Sequence, residues 1–474
     1  MSAVGKQSLA IYSSASFTKG IHMRTFPALS LVLATLVAIG VHGSCSAAPL
    51  TRSPVGTPEQ IAAETLALKL MQSPEVMQQR QENEKLLREE PAAAKPDGKR
   101  TLQRAADEMA YAVAVVVAGN RDPDHPAAIW TFTAPHTWYG KKIPGSGAGF
   151  DNPDNAYRVI LVDGASKYDI TLRPRGPLPK MFSLYLYDSI IGDSPKRNFD
   201  IALAGFRESE LKPQADGSFR ITMDGDPANG RDNHMQSPTD ARSIIIRNML
   251  DDWGQQMPLD IDIKRVSGPE FGKPAKVLNE HELAQRTAEI LKGTASTIVG
   301  MTRKNFTRVS EPNTVSKPFT RGGGWGYSAR GTFVLKDDEA LLLTVNNPPG
   351  QYLGIQVTDL WLRSVEHVSA NGSLNNHQAE PNKDGSYSYV ISIRDPGVRN
   401  WLHTGGMHEG EFLFRWQDLP PGIADTTIRE TKVVKLADLT ALLPDMTKLT
   451  PQQRKAQLRD RGRQYARRYL PQRN

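Results

Sequence analysis

From about Trp130 onward the chain falls into short runs of alternating apolar and polar residues separated by Pro, Gly, Asn and Asp. YRVILVD, YDITLRP, MFSLYLYD, SFRITMD, RSIIIRNML and LDIDIKRV form one group; GTFVLK, EALLLTV, YLGIQVTDLW, SYSYVISIRD and EFLFRWQDL form a second. A period of two with turn residues between runs is the pattern of antiparallel strands. Elsewhere the period is helical. TPEQIAAETLALKLM opens with Thr57 as N-cap and Pro58 in the first turn, and SPEVMQQRQENEKLLREE repeats that opening at Ser73 and Pro74. PAAAKPDGK at 91–99 reads as a joint, 100–119 as a buried helix, 277–304 as a helical interruption between the strand groups, and the end from Leu436 as helix. The predicted class is therefore mainly β with helical additions: two tandem antiparallel β-sandwich, jelly-roll-like units at 130–268 and 306–435. A helical region at 49–129, a connector at 269–305 and a basic helical tail at 436–474 surround them.

The two strand groups repeat each other. YDITLRPRGPLPKMFSLYLYD (168–188) lies without gaps on EALLLTVNNPPGQYLGIQVTD (339–359), sharing Leu172/Leu343, Pro177/Pro348 and Asp188/Asp359. DGSFRITMDGDP from Asp216 matches DGSYSYVISIRDP from Asp384, and SIIIRNM around Arg247 matches EFLFRWQ around Arg415. An offset held between 168 and 171 along the chain points to an internal duplication.

Upstream of this, FPALSLVLATLVAIGV (26–41) follows Lys19, His22 and Arg24 and precedes HGSCSAAPL. A charged start, a short apolar run and a small-residue exit describe a secretory leader over 1–48, cut after Ala48, with Met1 or Met23 as the start. The expected location is exported and periplasmic; the alternative is a lipoprotein anchored through Cys45. Cys45 is the single cysteine, which excludes a disulfide framework within the chain. The net charge of +7 is accounted for by the residues after Thr450, where Asp460 is the one acid. The remainder is neutral, which excludes a polyanion-binding fold; nucleic acid is not an expected partner. The tail QQRKAQLRDRGRQYARRYL reads either as a solvated helix docked by Tyr465 and Tyr469 or as a contact with an anionic membrane surface.

GQYLGIQVTDLWLRSVEH, SLNNHQAEPNKDGSYSYVISIRDPGVRNWLHTGG and GEFLFRWQDLP resemble the bacterial domain of unknown function numbered 1214, over about 306–435. The upstream unit, 150–265, is loosely similar to the family numbered 1254. The resemblance implies a jelly-roll-like sandwich and no established reaction.

No nucleophile motif is present, no cofactor motif is read, and RGGGWGYSARG (321–331) lacks the strand–loop–helix context of a phosphate loop. It reads as a loop presenting Trp325 and Tyr327. Four of the ten histidines, His367, His377, His403 and His408, fall between 367 and 408, without metal-ligand spacing. No metal is expected. The strongest polar constellation is Asn375, Asn376, His377 and Gln378 with Asn400, Trp401 and Arg415. Amide and guanidinium groups give directional hydrogen bonds, and an indole gives a flat apolar face, which suits a small organic or glycan-like ligand. The alternative readings are a hydrolase or lyase using His377 with Asp395 or Glu366, or a structural envelope protein. Asn400 and Trp401 also read simply as a turn cap and a core plug.

Overall fold

Antiparallel pairing begins at the first run of alternation and builds two sandwiches of identical design. The computed structural model of the chain describes residues 50–473 except 52, 194–201, 275–276, 309–310, 322–325, 349–350, 418, 420–421 and 423. The leader, Cys45 and Trp325 lie outside the described residues. In the first unit the strands are β1 (Ile129–Thr131), β2 (Asn155–Leu161), β3 (Lys167–Arg173), β4 (Met181–Tyr187), β5 (Ala204–Arg207), β6 (Phe219–Asp224), β7 (His234–Gln236), β8 (Ser243–Met249) and β9 (Asp260–Ser267). In the second they are β10 (Phe319–Thr320), β11 (Tyr327–Val334), β12 (Glu339–Val345), β13 (Leu353–Thr358), β14 (Ser373–Asn375), β15 (Tyr387–Ser392), β16 (Trp401–His403), β17 (Glu409–Trp416) and β18 (Ile428–Lys435).

The first unit has sheets ordered β1-β2-β8-β4-β5 and β7-β6-β3-β9; the second has β10-β11-β17-β13-β14 and β16-β15-β12-β18. The two orders are the same, down to the parallel edge pairs β6–β7 and β15–β16. The register agrees as well. Arg247 sits between Tyr157 and Ser183, and Arg415 sits between Ser328 and Gly354. The duplication read from the sequence is thus present as topology.

Alternation decides which face is core. Ile170 and Leu172 meet Ile244 and Ile246 inside the first sandwich, and Leu341 and Leu343 meet Phe412 and Phe414 inside the second. The opposite face of β1-β2-β8 is also apolar at Ile129, Val159 and Ile245. It is covered by helices α1 (Pro58–Leu70), α3 (Pro96–Gly119) and α4 (Glu280–Arg308), through Leu66, Val113, Val117 and Leu291. Helix α2 (Pro74–Arg88) lies against α3 and α4. The segment expected as a joint, 91–99, is helical over Pro91–Ala94 and again from Pro96. Each proline occupies a first-turn position, where its missing N–H costs nothing, so the Pro pair marks two helix starts rather than a linker. No described helix is long and apolar enough to cross a membrane.

The outer face of β11-β17-β13-β14 is polar, with Arg415, Gln356 and Asn375 on it, and is buried against residues 150–154 of the first unit. Arg415 Nη2 donates to the Phe150 carbonyl at 2.5 Å, and Gln356 Nε2 donates to the Asp151 carbonyl at 2.9 Å. Asp154 accepts from Tyr352 Oη at 2.6 Å, Trp253 Nε1 at 2.8 Å and Asn375 Nδ2 at 2.9 Å. Nearby, Arg363 bridges Glu108 of α3 and Asp359, at 2.8 and 2.6 Å.

Helix α5 (Pro451–Ala466) is capped by Thr450, whose side chain accepts from Gln453 N. Arg454, Arg461 and Arg468 recur at intervals of two helical turns and are buried, whereas Lys455, Arg459 and Arg463 are exposed. Arg454 forks onto Asp395 at 2.9 and 3.1 Å. Arg461 donates to the His367 carbonyl at 2.5 Å and Ser373 Oγ at 2.8 Å, and lies 4.3 Å over Trp253. Arg468 donates to the Pro153 carbonyl at 2.6 Å. Much of the basic tail is therefore an internal clamp joining both units. Arg461→Ala is expected to lower unfolding free energy by about 2–4 kcal/mol, because it strips donors from buried acceptors. Arg459→Ala is expected to change it by less than about 0.5 kcal/mol. Denaturant melts of the two variants read the difference, and equal effects would contradict the clamp.

Candidate functional site

The sequence-predicted constellation does not form one rim. Asn375 and Arg415 lie on the five-stranded sheet and are buried at the contact between units. Besides Asp154, Asn375 Nδ2 donates to the Asp251 carbonyl at 3.0 Å, and its Oδ1 accepts from His377 N and Gln378 N, both at 3.0 Å. Asn376 closes the same turn through Leu353 N and the Gln351 carbonyl. Gln378 Oε1 accepts from Arg461 at 3.1 Å. Asn400 and Trp401 belong to the other sheet, at β16. Asn400 bridges the Glu380 and Ser388 carbonyls at 2.7 and 2.9 Å. Trp401 donates to the Ser392 carbonyl at 3.2 Å, packs with Leu439, Leu443 and Met446, and carries Arg454 over its ring at 5.0 Å. The side-chain period of two turns inward or edge-on most of the groups that a linear reading set side by side.

The acid–base candidates are also apart. His377 is exposed, with Nε2 at 3.5 Å from Asp252 Oδ2. Asp395 is taken by Arg454, and Glu366 Oε1 accepts from Val368 N and Ser369 N at 2.7 and 2.9 Å. His367 is buried, and burial holds its imidazole down at about 4 despite the neighbouring Glu366. Among the described residues no three His, Cys, Asp or Glu side chains converge as a metal site.

A different place gathers functional features. On the outer face of β2 and β8, against Thr294, Thr297, Ile298 and Met301 of α4, lies a partly open cavity of about 70 Å³. A smaller one of about 20 Å³ adjoins it, sharing Tyr157, Arg247 and Arg321 and lined further by Arg207, Asn155 and Gln417. Arg247 comes from the middle of β8, 5.8 Å from the Tyr157 ring, and Arg321 enters from the start of the second unit. Burial lowers the Arg321 guanidinium to about 9, and repulsion from Arg415, Arg247 and Arg330 adds to the effect. It stays charged at neutral pH while sitting among three other cations. Tyr157 Oη accepts from Asn152 N at 3.1 Å and Asn155 Nδ2 at 3.2 Å, which leaves its own proton to donate. Asn155 Oδ1 is buried and bonded to no protein atom among the described residues. Asp151 is on the wall as well. Burial pushes its carboxyl up to about 6 against the hydrogen bonds from Ser364.

The remaining wall is mostly apolar, with Phe132, Phe150, Ile191, Ile245, Ile298 and Met301, and with Thr294 and Thr297, whose hydroxyls donate to the Ile191 and Gly192 carbonyls. Phe132, Phe150 and Ile191 have φ of 56°, 62° and 50°, a conformation that bulky and β-branched residues avoid. Strain of about 1–3 kcal/mol per residue persists only where the surroundings enforce it, and it concentrates at functional sites. Sequence reasoning missed this cavity, although an arginine inside SIIIRNML was a visible signal. It served only as a landmark of the duplication.

Residues 156–249 match the model of the family described as "Protein of unknown function (DUF1214)", which supports a DUF1214-type domain. The match falls on the first unit, where a loose likeness to the family numbered 1254 was expected, and not on the second unit, whose motifs carried the resemblance. An uncharacterised protein from Burkholderia cenocepacia is similar in structure, with TM-score 0.64, 21% identity, and 79% of this chain and 100% of that chain covered. That likeness concerns the fold alone. A Vibrio parahaemolyticus protein aligns with TM-score 0.38 and 11% identity over 70% of this chain and 98% of that chain. No curated protein matches the chain.

Asn375→Ala is expected to cost about 1–3 kcal/mol of stability, since Asp154 and the Asp251 carbonyl lose a buried donor. Thermal unfolding checks this, and an unchanged melting temperature would place Asn375 outside the structural network.

Proposed function

We propose that this chain is an exported protein that binds a small organic anion in the cavity of Arg247 and Arg321. The observation that carries the reading is the convergence of two guanidinium groups from different units, one in a buried strand, on a partly open cavity. Mutually repelling cations brought together at a cavity are stabilised by a bound anion, and a guanidinium fork suits a carboxylate or sulfonate. Placement between units replaces the rim of the second sandwich as the favoured site, because Trp401 and Arg415 lie on different sheets. Export rests on the leader over 1–48. The tail is read as part of the fold before any lipid contact, because Arg454, Arg461 and Arg468 are turned inward.

Titration calorimetry with methanesulfonate, whose charge is constant over the range, tests the reading. Arg247→Ala and Arg321→Ala are each expected to weaken binding about tenfold or more. Absence of binding by the unaltered chain, or binding by both variants as tight as its own, would overturn it. Asp151 adds a pH dependence. An anion beside its carboxyl favours the protonated form, so binding takes up a proton, and affinity is expected to rise as pH falls through about 6. Asp151→Asn flattens that profile.

A further inference from the structure

The cavity has two unlike halves, and together they define the chemistry of what enters. Resting on the anion-binding reading above, we infer that the ligand is an apolar monocarboxylate: one carboxylate on a compact aromatic or branched hydrocarbon body. It is not a sugar acid, a dicarboxylate or a free phosphate.

The polar half is narrow. Arg247, Arg321 and Tyr157 are shared by the two pockets, and the smaller of these, on the Arg207 side, holds only about 20 Å³. The apolar half lies beside it, between β8 and α4. Ile245 forms its floor, Ile298 and Met301 of α4 form one side, and Phe150 and Ile191 form the other. Ile245, Phe150, Ile191 and Ile298 are otherwise buried, so the space they border is enclosed largely by hydrocarbon.

The backbone strain discriminates among ligands. Phe132, Phe150 and Ile191 are three of the nine non-glycine residues with left-handed backbone among those described, and all three line this one cavity. Had the cavity served a hydrated, polyhydroxylated ligand, strain would be expected to aim donors and acceptors at it. Here the residues it holds carry rings and a branched alkyl group. The Phe132 ring also stands edge-on to Tyr157, 5.4 Å between centroids, which joins the apolar wall to the anion-binding hydroxyl. A second charge carried on the part of the ligand that enters the apolar half would be desolvated against Ile245 and Ile298, an unfavourable arrangement. Hydrocarbon placed there is removed from water.

The experiment is calorimetry on the full chain with benzoate, acetate, succinate, inorganic phosphate and benzyl alcohol as probes. Benzoate is expected to bind about tenfold or more tightly than acetate, as burial of a ring predicts, and more tightly than succinate or phosphate. Met301→Gln, at a partly exposed position on the wall, is expected to bring benzoate to within about twofold of acetate while acetate binding is retained. Ile298→Thr provides a second variant should the first unfold, with circular dichroism confirming the fold of each. If acetate, succinate or phosphate equals benzoate, the apolar inference is overturned and the anion site stands. If benzyl alcohol matches benzoate, the anion-binding reading falls. If no probe binds, both fall.

Discussion

The polar outer face of the second five-stranded sheet is buried, and residues 150–154 are what make that burial tolerable. Arginine, glutamine and asparagine side chains cannot be taken out of water unless their hydrogen bonds are replaced. The Phe150 and Asp151 carbonyls and the Asp154 carboxylate replace them. The same short segment leads directly into β2, so the registry that satisfies the second unit also sets where the first unit's sheet begins. Tyr352 and Trp253 lock onto this segment through the Asp154 carboxylate, and Arg468 does so through the Pro153 carbonyl. The C-terminal clamp thereby joins the same network.

In the duplicated frame, this segment distinguishes two equivalent places. Arg247 and Arg415 occupy the same position in corresponding strands. Around Arg415 the chain supplies its own acceptor, the Phe150 carbonyl, and the place is filled. Beside Arg247, under α4, Arg321 arrives as a further cation and a cavity remains. Two copies of one sandwich thereby diverge: one face became the joint between the units, and the other went under the helices with a cavity left beside Arg247. The left-handed Phe150 takes part in both, with its carbonyl turned to Arg415 and the residue itself lining the cavity.

Much of the architecture was legible along the chain. Alternation identified the strands, the Pro-led N-caps identified the helices, and a steady offset identified the repeat. The candidate site was less legible. Asn375, Asn400, Trp401 and Arg415 looked like one constellation because they are close in sequence and chemically suited to a ligand. Strand pairing sends β14 and β17 to one sheet and β16 to the other, so proximity along the chain did not become proximity in space. Conversely Phe132, Tyr157, Ile191, Arg247, Met301 and Arg321 are scattered over nearly two hundred positions, and no spacing rule joins them.

Local patterns of one chain therefore determined the elements, their duplication and which strand faces are apolar, because backbone geometry converts period into face without reference to anything distant. Which polar faces would be covered and which arginines would border a cavity depended on contacts between segments far apart in sequence. Those contacts exist only once both sandwiches, α4 and the tail have docked, and it was the docking that decided them.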